Sequence, residues 1–501
     1  MLFNSIEFAF FFPIAVAAYF LTPHRARWVV LLAASYVFYG WWRVEYLGLI
    51  LASTVVDYVA GIRMGRHDTQ AGRRPWLIVS LVSNLGLLFA FKYLGFFAES
   101  ADAIAAFVGV DGRLNVPALL LPVGISFYTF QTLAYSIDVY RGQQEPERHF
   151  GIFALYVSFW PQLVAGPIER SQQLLPQFRE PHELDWDRLA DGLKLMTWGL
   201  FKKVVIADRL ALFVNAVYND AEGAGAAAFV IATYLFAFQI YCDFSGYSDI
   251  AIGAARTMGF DLMENFRRPY FSKSIGEFWR RWHISLSTWF RDYLYIPLGG
   301  NRVARWRWYL NLFVVFLVSG LWHGAAWTFV IWGALHGLYL VVGAVTSPHR
   351  ERVWANVSDA YALWQSSERP PEPPPLVGHV RRWVGVVVTF HLVLLAWVFF
   401  RANTVADTSV LFGSLFDPGR YTLRGLAVAG MDRFDQEYDF VVALVAIAVL
   451  LTVHLVERKE SMRSFLSRRP SWVRYPAYAA IVTAIVVWGK FGSSEFIYFQ
   501  F

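Results

Sequence analysis

Apolar stretches of bilayer-crossing length recur from one end of this chain to the other, and they restrict what it can become. Examples are Phe8 to Leu21, Tyr46 to Ile62, Trp76 to Phe97, Phe229 to Ile252, Trp383 to Phe400 and Phe440 to Val456. Hydrocarbon offers no partner to a backbone N–H or C=O, so segments at membrane depth must satisfy their own hydrogen bonds. The runs have the length of membrane-spanning helices. The expectation is an all-α polytopic integral membrane protein, one domain over residues 1–501, with about eleven to twelve spanning or re-entrant helices. Charged residues make up 16% of the chain, against roughly 25% in soluble domains. The 21 Trp and 25 Tyr suit the two membrane interfaces, where amphipathic rings are favoured. Cys242 is the sole cysteine, which rules out an intrachain disulfide and reads as a small packing residue.

The distribution of basic residues predicts a topology. Met1 to Glu7 holds no Lys or Arg, and His24, Arg25 and Arg27 follow the first apolar run. That pattern is not a cleavable signal, and it puts the N-terminus outside. Arg63, Arg66, Arg73 and Arg74 mark the next inner loop, with Trp28 to Trp42 and Tyr46 to Ile62 as a hairpin between the basic loops. Glu99 to Asn115, with Asp102 and Asp111, suits an external loop. Phe153 to Val164 is short and ends among Pro161 and Pro167; broken segments of this kind line protein or water-filled cavities rather than lipid. Leu193 to Val217 reads as a further span, and the proline cluster Pro370 to Pro375 marks an extramembrane loop, taken as 346–382. No internal repeat is visible, which weighs against transporters built from duplicated halves.

Hydrophobicity drops over 261–308, where nine bases and four acids give +5 of the chain's net +6. Positive charge places this segment at the cytoplasmic face and draws it to anionic lipid. Arginine also makes bidentate phosphate contacts, so Arg280 and Arg281 are candidates for gripping a phosphate-bearing ligand. Ile275 to Leu286 interleaves apolar residues with Arg280, Arg281 and His283 at helical spacing, and Ser274 with Glu277 fits a capping box. The expected element is an amphipathic interfacial or re-entrant helix. No Walker loop and no HExxH occur. The spacings of His283, His323 and His336 fit no zinc motif, so no metal and no nucleic acid are expected.

Trp322-His323-Gly324 lies between apolar stretches on both sides. An ionisable group at membrane depth is costly and marks a functional-site candidate. Imidazole titrates near neutrality, which suits proton exchange during catalysis. His336 follows 13 residues later, about 140° around and about 20 Å along an ideal unbroken helix, which assigns it to packing. Asp243 and Asp249 read either as capped or satisfied packing polarity or as cavity-lining groups.

Several stretches together resemble the membrane-bound O-acyltransferase superfamily, in particular its alginate O-acetylase branch and related peptidoglycan and cellulose acetylation proteins. They are Leu121-Pro-Val-Gly-Ile-Ser-Phe-Tyr-Thr-Phe130, Ser136-Ile-Asp-Val-Tyr-Arg-Gly142, Pro161-Gln-Leu-Val-Ala-Gly-Pro-Ile168, Asp243-Phe-Ser-Gly-Tyr-Ser-Asp-Ile-Ala-Ile-Gly253, Phe278-Trp-Arg-Arg-Trp-His-Ile-Ser-Leu-Ser287, Phe290-Arg-Asp-Tyr-Leu-Tyr295, Gly320-Leu-Trp-His-Gly324 and Phe496-Ile-Tyr-Phe-Gln-Phe501. The stretch from Thr346 to Asp439 matches least. The resemblance implies helices around a transmembrane tunnel and acyl transfer from a thioester. His323 would be the central catalytic histidine and His283 the second. Arg280, Arg281, Trp282, Trp322 and Asp243 are the candidate donor-binding residues. The implied donor is acetyl-CoA, used as substrate with no resident cofactor. The acyl group would end on an exported polysaccharide, often through a periplasmic acetyltransferase partner, and the enzyme would sit in a bacterial inner membrane. D-alanyl transfer to teichoic acid from a carrier protein is the alternative within the superfamily. A transporter with a buried His/Asp proton relay is the alternative outside it.

Overall fold

The computed structural model describes the chain apart from residues 111, 118, 165, 224, 366–374, 418–437, 493–495 and 498–501. The described residues contain helices and no strand. In chain order the helices are α1 (Ile6–Leu21), α2 (His24–Gly40), α3 (Leu47–Met64), α4 (Gln70–Leu88), α5 (Leu94–Phe107), α6 (Ile125–Arg141), α7 (Phe150–Ser158), α8 (Trp160–Leu163), α9 (Ser171–Gln177) and α10 (Trp186–Leu200). They continue with α11 (Asp208–Tyr218), α12 (Ala226–Thr257), α13 (Ile275–Trp279), α14 (Ile284–Phe290), α15 (Arg305–His323), α16 (Trp327–Gln365), α17 (Pro375–Arg401), α18 (Val405–Ser414), α19 (Tyr438–Val456), α20 (Met462–Ser467) and α21 (Ser471–Trp488). Six helical stretches among the described residues are long and apolar enough to cross a membrane, and α1 and the α7–α8 pair are shorter apolar segments. The protein is an all-α, multi-pass membrane protein.

The chain divides into two compact units. The first comprises Met1–Phe213, Phe238–Glu264 and Met431–Phe501; the second comprises Val214–Ala237 and Asn265–Gly430. Two of the four boundaries fall within α11 and α12.

Several expected boundaries shift for identifiable reasons. The run from Trp76 does not stop before an external loop at Glu99. A π-turn at Phe89–Tyr93 joins α4 to α5, and helix continues to Phe107. Leu193 to Val217 is not a plain apolar span either. Its middle is a π-turn, Phe201–Ala207, that carries the buried Lys202 and Lys203. The Lys203 ammonium lies 2.7 Å from both Asp208 and Asp243, and Lys202 lies 2.8 Å from Asp249. Asp243 also accepts the backbone N–H of Ile497 at 2.7 Å, which fastens the segment at Phe496–Ile497 into the first unit. There the Phe496 ring packs 4.5 Å from Tyr247. The expected loop 346–382 is helical on both sides, because α16 continues to Gln365 and α17 begins at Pro375. Most of the proline cluster lies outside the described residues. Nothing in 346–365 breaks the helix: the Pro348 ring is accommodated within it, and charged Arg350, Glu351 and Arg352 are exposed.

The broken segment after α8 buries Glu169. One of its carboxylate oxygens accepts the Met263 N–H at 2.7 Å, and the other has no hydrogen-bond partner among the described residues. Burial pushes its pKa from the ordinary 4.5 up to about 8. The folded chain therefore holds this proton more tightly than the unfolded chain does. The stabilisation is complete below about pH 4.5 and is lost as pH rises towards about 8. Glu169→Gln keeps the shape of the protonated form. Thermal melting of the purified protein across that range is expected to show a shallower decline with pH in the variant than in the wild type.

Candidate active site

The second unit brings three histidines into one aromatic cluster. The cluster rests on the close crossing of α15 and α16. A Cβ added at Gly320 would lie 2.3 Å from the Phe329 carbonyl oxygen, and one at Gly333 would lie 2.4 Å from that of Phe316. Only glycine permits the two backbones to approach this closely, the small-residue device of membrane helix packing. The turn between the helices has the same requirement. A Cβ at Gly324 would lie 2.2 Å from the Phe329 ring, which explains the glycine after Trp322-His323.

The break at Gly324–Ala326 changes the geometry expected for His336. His323 and His336 do not lie on one unbroken helix; they lie on the two arms of a hairpin. The Trp332 ring centre is 4.9 Å from that of His323 and 4.9 Å from that of His336. One indole thus touches both imidazoles, and the assignment of His336 to packing remote from His323 is corrected. Trp322 joins the set on the other side, 4.9 Å from His323 and 6.2 Å from His283. Phe400, 5.5 Å from His323, and Trp397, stacked 6.1 Å from Trp332, close the cluster from α17. Trp282 lies 5.1 Å from Trp397. All three histidines are buried.

The amphipathic helix expected over Ile275 to Leu286 is interrupted. Ser274 caps α13 by accepting the Glu277 N–H, but the Glu277 carboxylate returns to the N–H of Lys273 rather than to that of Ser274. The helix then stops at Trp279. The Arg267 N–H donates to the Arg281 carbonyl and the Ile284 N–H to the Asn265 carbonyl, both at 2.9 Å. These bonds divert backbone groups from the helical ladder and draw the turn onto the loop 265–267. His283 sits at the corner with φ 44°, ψ 57°. That left-handed conformation costs an L-residue about 1–2 kcal/mol, and such outliers gather at functional sites.

Asn265, which sequence reasoning did not single out, sets the state of His283. Its side-chain oxygen accepts the N–H of Ser285 at 3.4 Å and the Ser285 hydroxyl at 3.0 Å. The atom facing His283 Nδ1 at 3.0 Å is therefore the oxygen, and Nδ1 must donate the hydrogen bond. The lone pair of the ring is left on Nε2. Burial pushes the His283 pKa down to about 3, so the ring is neutral near pH 7. In this tautomer His283 presents an acceptor at Nε2, while its one N–H is already engaged by Asn265. His336 is fixed in the opposite sense. Its Nδ1 accepts the Trp279 indole N–H at 3.3 Å, which puts its proton on Nε2.

The remaining candidates separate. Trp282 and Trp322 belong to the cluster. Arg280 is exposed, and Arg281 is paired with Glu277 at 2.5 Å. Asp243 is in the first unit, with its carboxylate engaged by Lys203 and Ile497. Among the described residues no group of three His, Cys, Asp or Glu side chains is arranged to hold a metal ion.

Comparison with known proteins decides the class. The chain is 42% identical over 453 residues to a protein of Azotobacter vinelandii named "Probable alginate O-acetylase", covering 90% of this chain and 84% of that one. The chain belongs to the membrane-bound O-acyltransferase family. The description of that family itself matches residues 149–364, which include His283, His323 and His336. A peptidoglycan O-acetyltransferase of Helicobacter pylori is 33% identical over 550 aligned positions, spanning 100% of this chain and 98% of that protein. A teichoic acid D-alanyltransferase of Streptococcus thermophilus is 27% identical over 314 residues, 58% of this chain and 71% of that protein. The protein is thus an O-acyltransferase.

Two substitutions test the geometry of this acyltransferase. Gly333→Leu is expected to separate α15 from α16 and to lower acyl transfer by at least about tenfold, equivalent to about 1.4 kcal/mol in the barrier, while the protein still inserts in the membrane. Asn265→Leu removes the acceptor that fixes His283 and is expected to lower kcat by about 10²-fold, the scale of a misplaced positioning group. Asn265→Asp retains an acceptor and is expected to lose less. Acyl transfer to an acceptor hydroxyl, measured on membrane-extracted protein, checks all three.

Proposed function

We propose that this acyltransferase takes an acetyl group from acetyl-CoA at the cytoplasmic face and passes it towards a hydroxyl group of an exported, alginate-like polysaccharide. The single observation that carries the reading is the placement of His323. It is a buried imidazole at the end of α15, enclosed by Trp322, Trp332 and Phe400, and the Trp322 ring also contacts a second histidine held as a neutral acceptor. The O-acetylase names of the relatives that align along most of the chain support the acetyl group and the polysaccharide. A periplasmic acetyltransferase completes delivery in this reading. The basic segment 261–308 faces the cytoplasm, the N-terminus lies outside, and the membrane is a bacterial inner membrane.

In the proposed reaction the His323 imidazole removes the acceptor's hydroxyl proton as the oxygen bonds to the thioester carbonyl carbon. The C–S bond breaks, and the thiolate takes the proton back from the imidazolium. Acetyl-CoA and alcohol become acetyl ester and CoA, with atoms and charge balanced. In the two-step form an imidazole nitrogen attacks the thioester carbon, the C–S bond breaks and the CoA thiolate leaves with the ring proton, and the alcohol then takes the acetyl group from the acyl-imidazole, returning its proton to the ring. General-base action supplies about 10²–10⁴-fold; positioning supplies the larger share. His283 Nε2 accepts an N–H or O–H of the donor and orients it. Arg280 is the exposed cation for CoA phosphates, and Trp282 and Trp322 line the donor's path. Asp243 serves the ion pair with Lys203.

The experiment is CoA release and protein labelling with radiolabelled acetyl-CoA in proteoliposomes, with polysaccharide and partner protein supplied. Wild type is expected to release CoA, and His323→Ala is expected to insert normally and release none. Acid-labile label on the wild type identifies the two-step route. Retained acetylation in His323→Ala overturns the catalytic assignment. Turnover only with an acylated carrier protein overturns acetyl-CoA as the donor.

A further inference from the structure

The first unit contains a buried carboxylate that the acyl-transfer reading does not use. Asp57 lies in α3, about 10 Å along the helix axis from its end at Met64, in a segment apolar enough to span the membrane. It is fully buried. Three helices converge on it. From α4, the Ser80 hydroxyl donates to Oδ1 at 2.5 Å and the Asn84 amide N–H reaches both carboxylate oxygens at 2.9–3.0 Å. From α6, the Ser136 hydroxyl lies 3.4 Å from Oδ1 and 2.9 Å from Ser80 Oγ. The same Asn84 nitrogen is 2.9 Å from the Ser80 carbonyl, which fixes the orientation of the amide. The Asn84 oxygen accepts from Ser53 at 2.8 Å and Thr132 at 3.2 Å. Ser80, Asn84 and Ser136 thus direct donors at Asp57, and Ser53 and Thr132 hold the Asn84 amide in place behind them.

All of these donors are neutral, and no cationic side chain pairs with Asp57 among the described residues. Of the phenols on the helices packed against α3, Tyr39 on α2 bonds the Val123 carbonyl, Tyr135 on α6 accepts the Glu147 N–H, and Tyr156 on α7 bonds the Gln131 carbonyl, while the Tyr128 hydroxyl on α6 has no hydrogen-bond partner among the described residues. Tyr58, the neighbour on α3, bonds the Arg148 carbonyl. Asp138 follows Ser136 by two residues, about 200° around α6. A carboxylate at membrane depth with no cationic partner has a strong demand for positive charge. The network atoms are already in mutual hydrogen-bond contact, which leaves no shell of oxygens spread around a metal ion. Oδ1 has three donors within reach and Oδ2 has one, so a lone pair on Oδ2 remains to accept a proton.

We propose that Asp57 is an exchangeable proton-binding site within the α3–α4–α6 bundle. Its ligand is a single proton from bulk water, taken up as carboxylate plus H⁺ gives carboxylic acid. The charge of three packed membrane helices then changes by one unit. The inference is independent of the acyl-transfer reading.

The test is infrared difference spectroscopy of the full-length protein in lipid nanodiscs as pH is stepped, without any acyl donor. The wild-type spectrum minus that of Asp57→Asn is expected to contain one protonated-carboxyl C=O band that gives way to carboxylate bands as pH rises. Ser80→Ala leaves the carboxyl in place and removes its shortest donor. It is expected to displace the midpoint by about one pH unit, a tenfold change in proton affinity, and it provides the comparison if Asp57→Asn fails to fold. A band absent at every pH at which the protein stays folded, or one that never titrates, overturns the proposal. So does a midpoint that Ser80→Ala leaves unmoved. Loss of the band on exchanging choline for sodium at constant ionic strength also overturns it, by assigning the site to a metal ion.

Discussion

The contact on which the candidate active site depends is that between two backbones. Gly320 and Gly333 let α15 and α16 approach until each glycine's Cα hydrogens face the other helix's carbonyls. A membrane interior provides no hydrophobic drive to hold helices together, so close packing has to supply the attraction. Because the helices touch at this depth, Trp332 is carried between His323 and His336 and stacks on Trp397 from α17. The imidazoles are positioned by indoles, and the indoles are positioned by glycines.

Buried polarity in the first unit follows a different rule. Lys203 is placed between two carboxylates, Arg209 pairs with Asp439, and Lys202 pairs with Asp249. Removing one partner of such a pair strands a charge in low dielectric, at a cost of about 3–5 kcal/mol. The π-turn at Phe201–Ala207 shifts the helix register and accompanies two successive lysines that reach different acids. Asp57 stands apart from these pairs, since only neutral donors surround it.

Much of the fold was legible because its main signal is local. Apolar runs against basic loops located α2, α3, α12, α17 and α19, and Trp322-His323-Gly324 pointed to residues that the fold places in the aromatic cluster of the candidate site. Other features depend on partners distant in sequence. Asn265 lies 18 residues before His283, in a loop with no periodicity, and its role follows from a tertiary hydrogen bond. Ile275 to Leu286 has a helical apolar pattern, yet the loop 265–267 takes up the backbone groups that would have continued the helix. The distance argument about His336 assumed an unbroken helix, whereas Gly324 turns the chain back. Asp57 gives no sequence sign beyond one acid in an apolar run, because Ser80, Asn84 and Ser136 come from other helices.

The left-handed backbone at His283 bears on how this protein would respond to selection for robustness. Glycine has no Cβ and adopts that conformation without penalty. Glycine at position 283 would relieve the strain and at the same time empty the space of a fully buried ring and strand the Asn265 oxygen, so the two effects oppose each other. A directed-evolution library read by stability alone would see only that balance at this corner and would be blind to the donor-orienting role proposed for the ring.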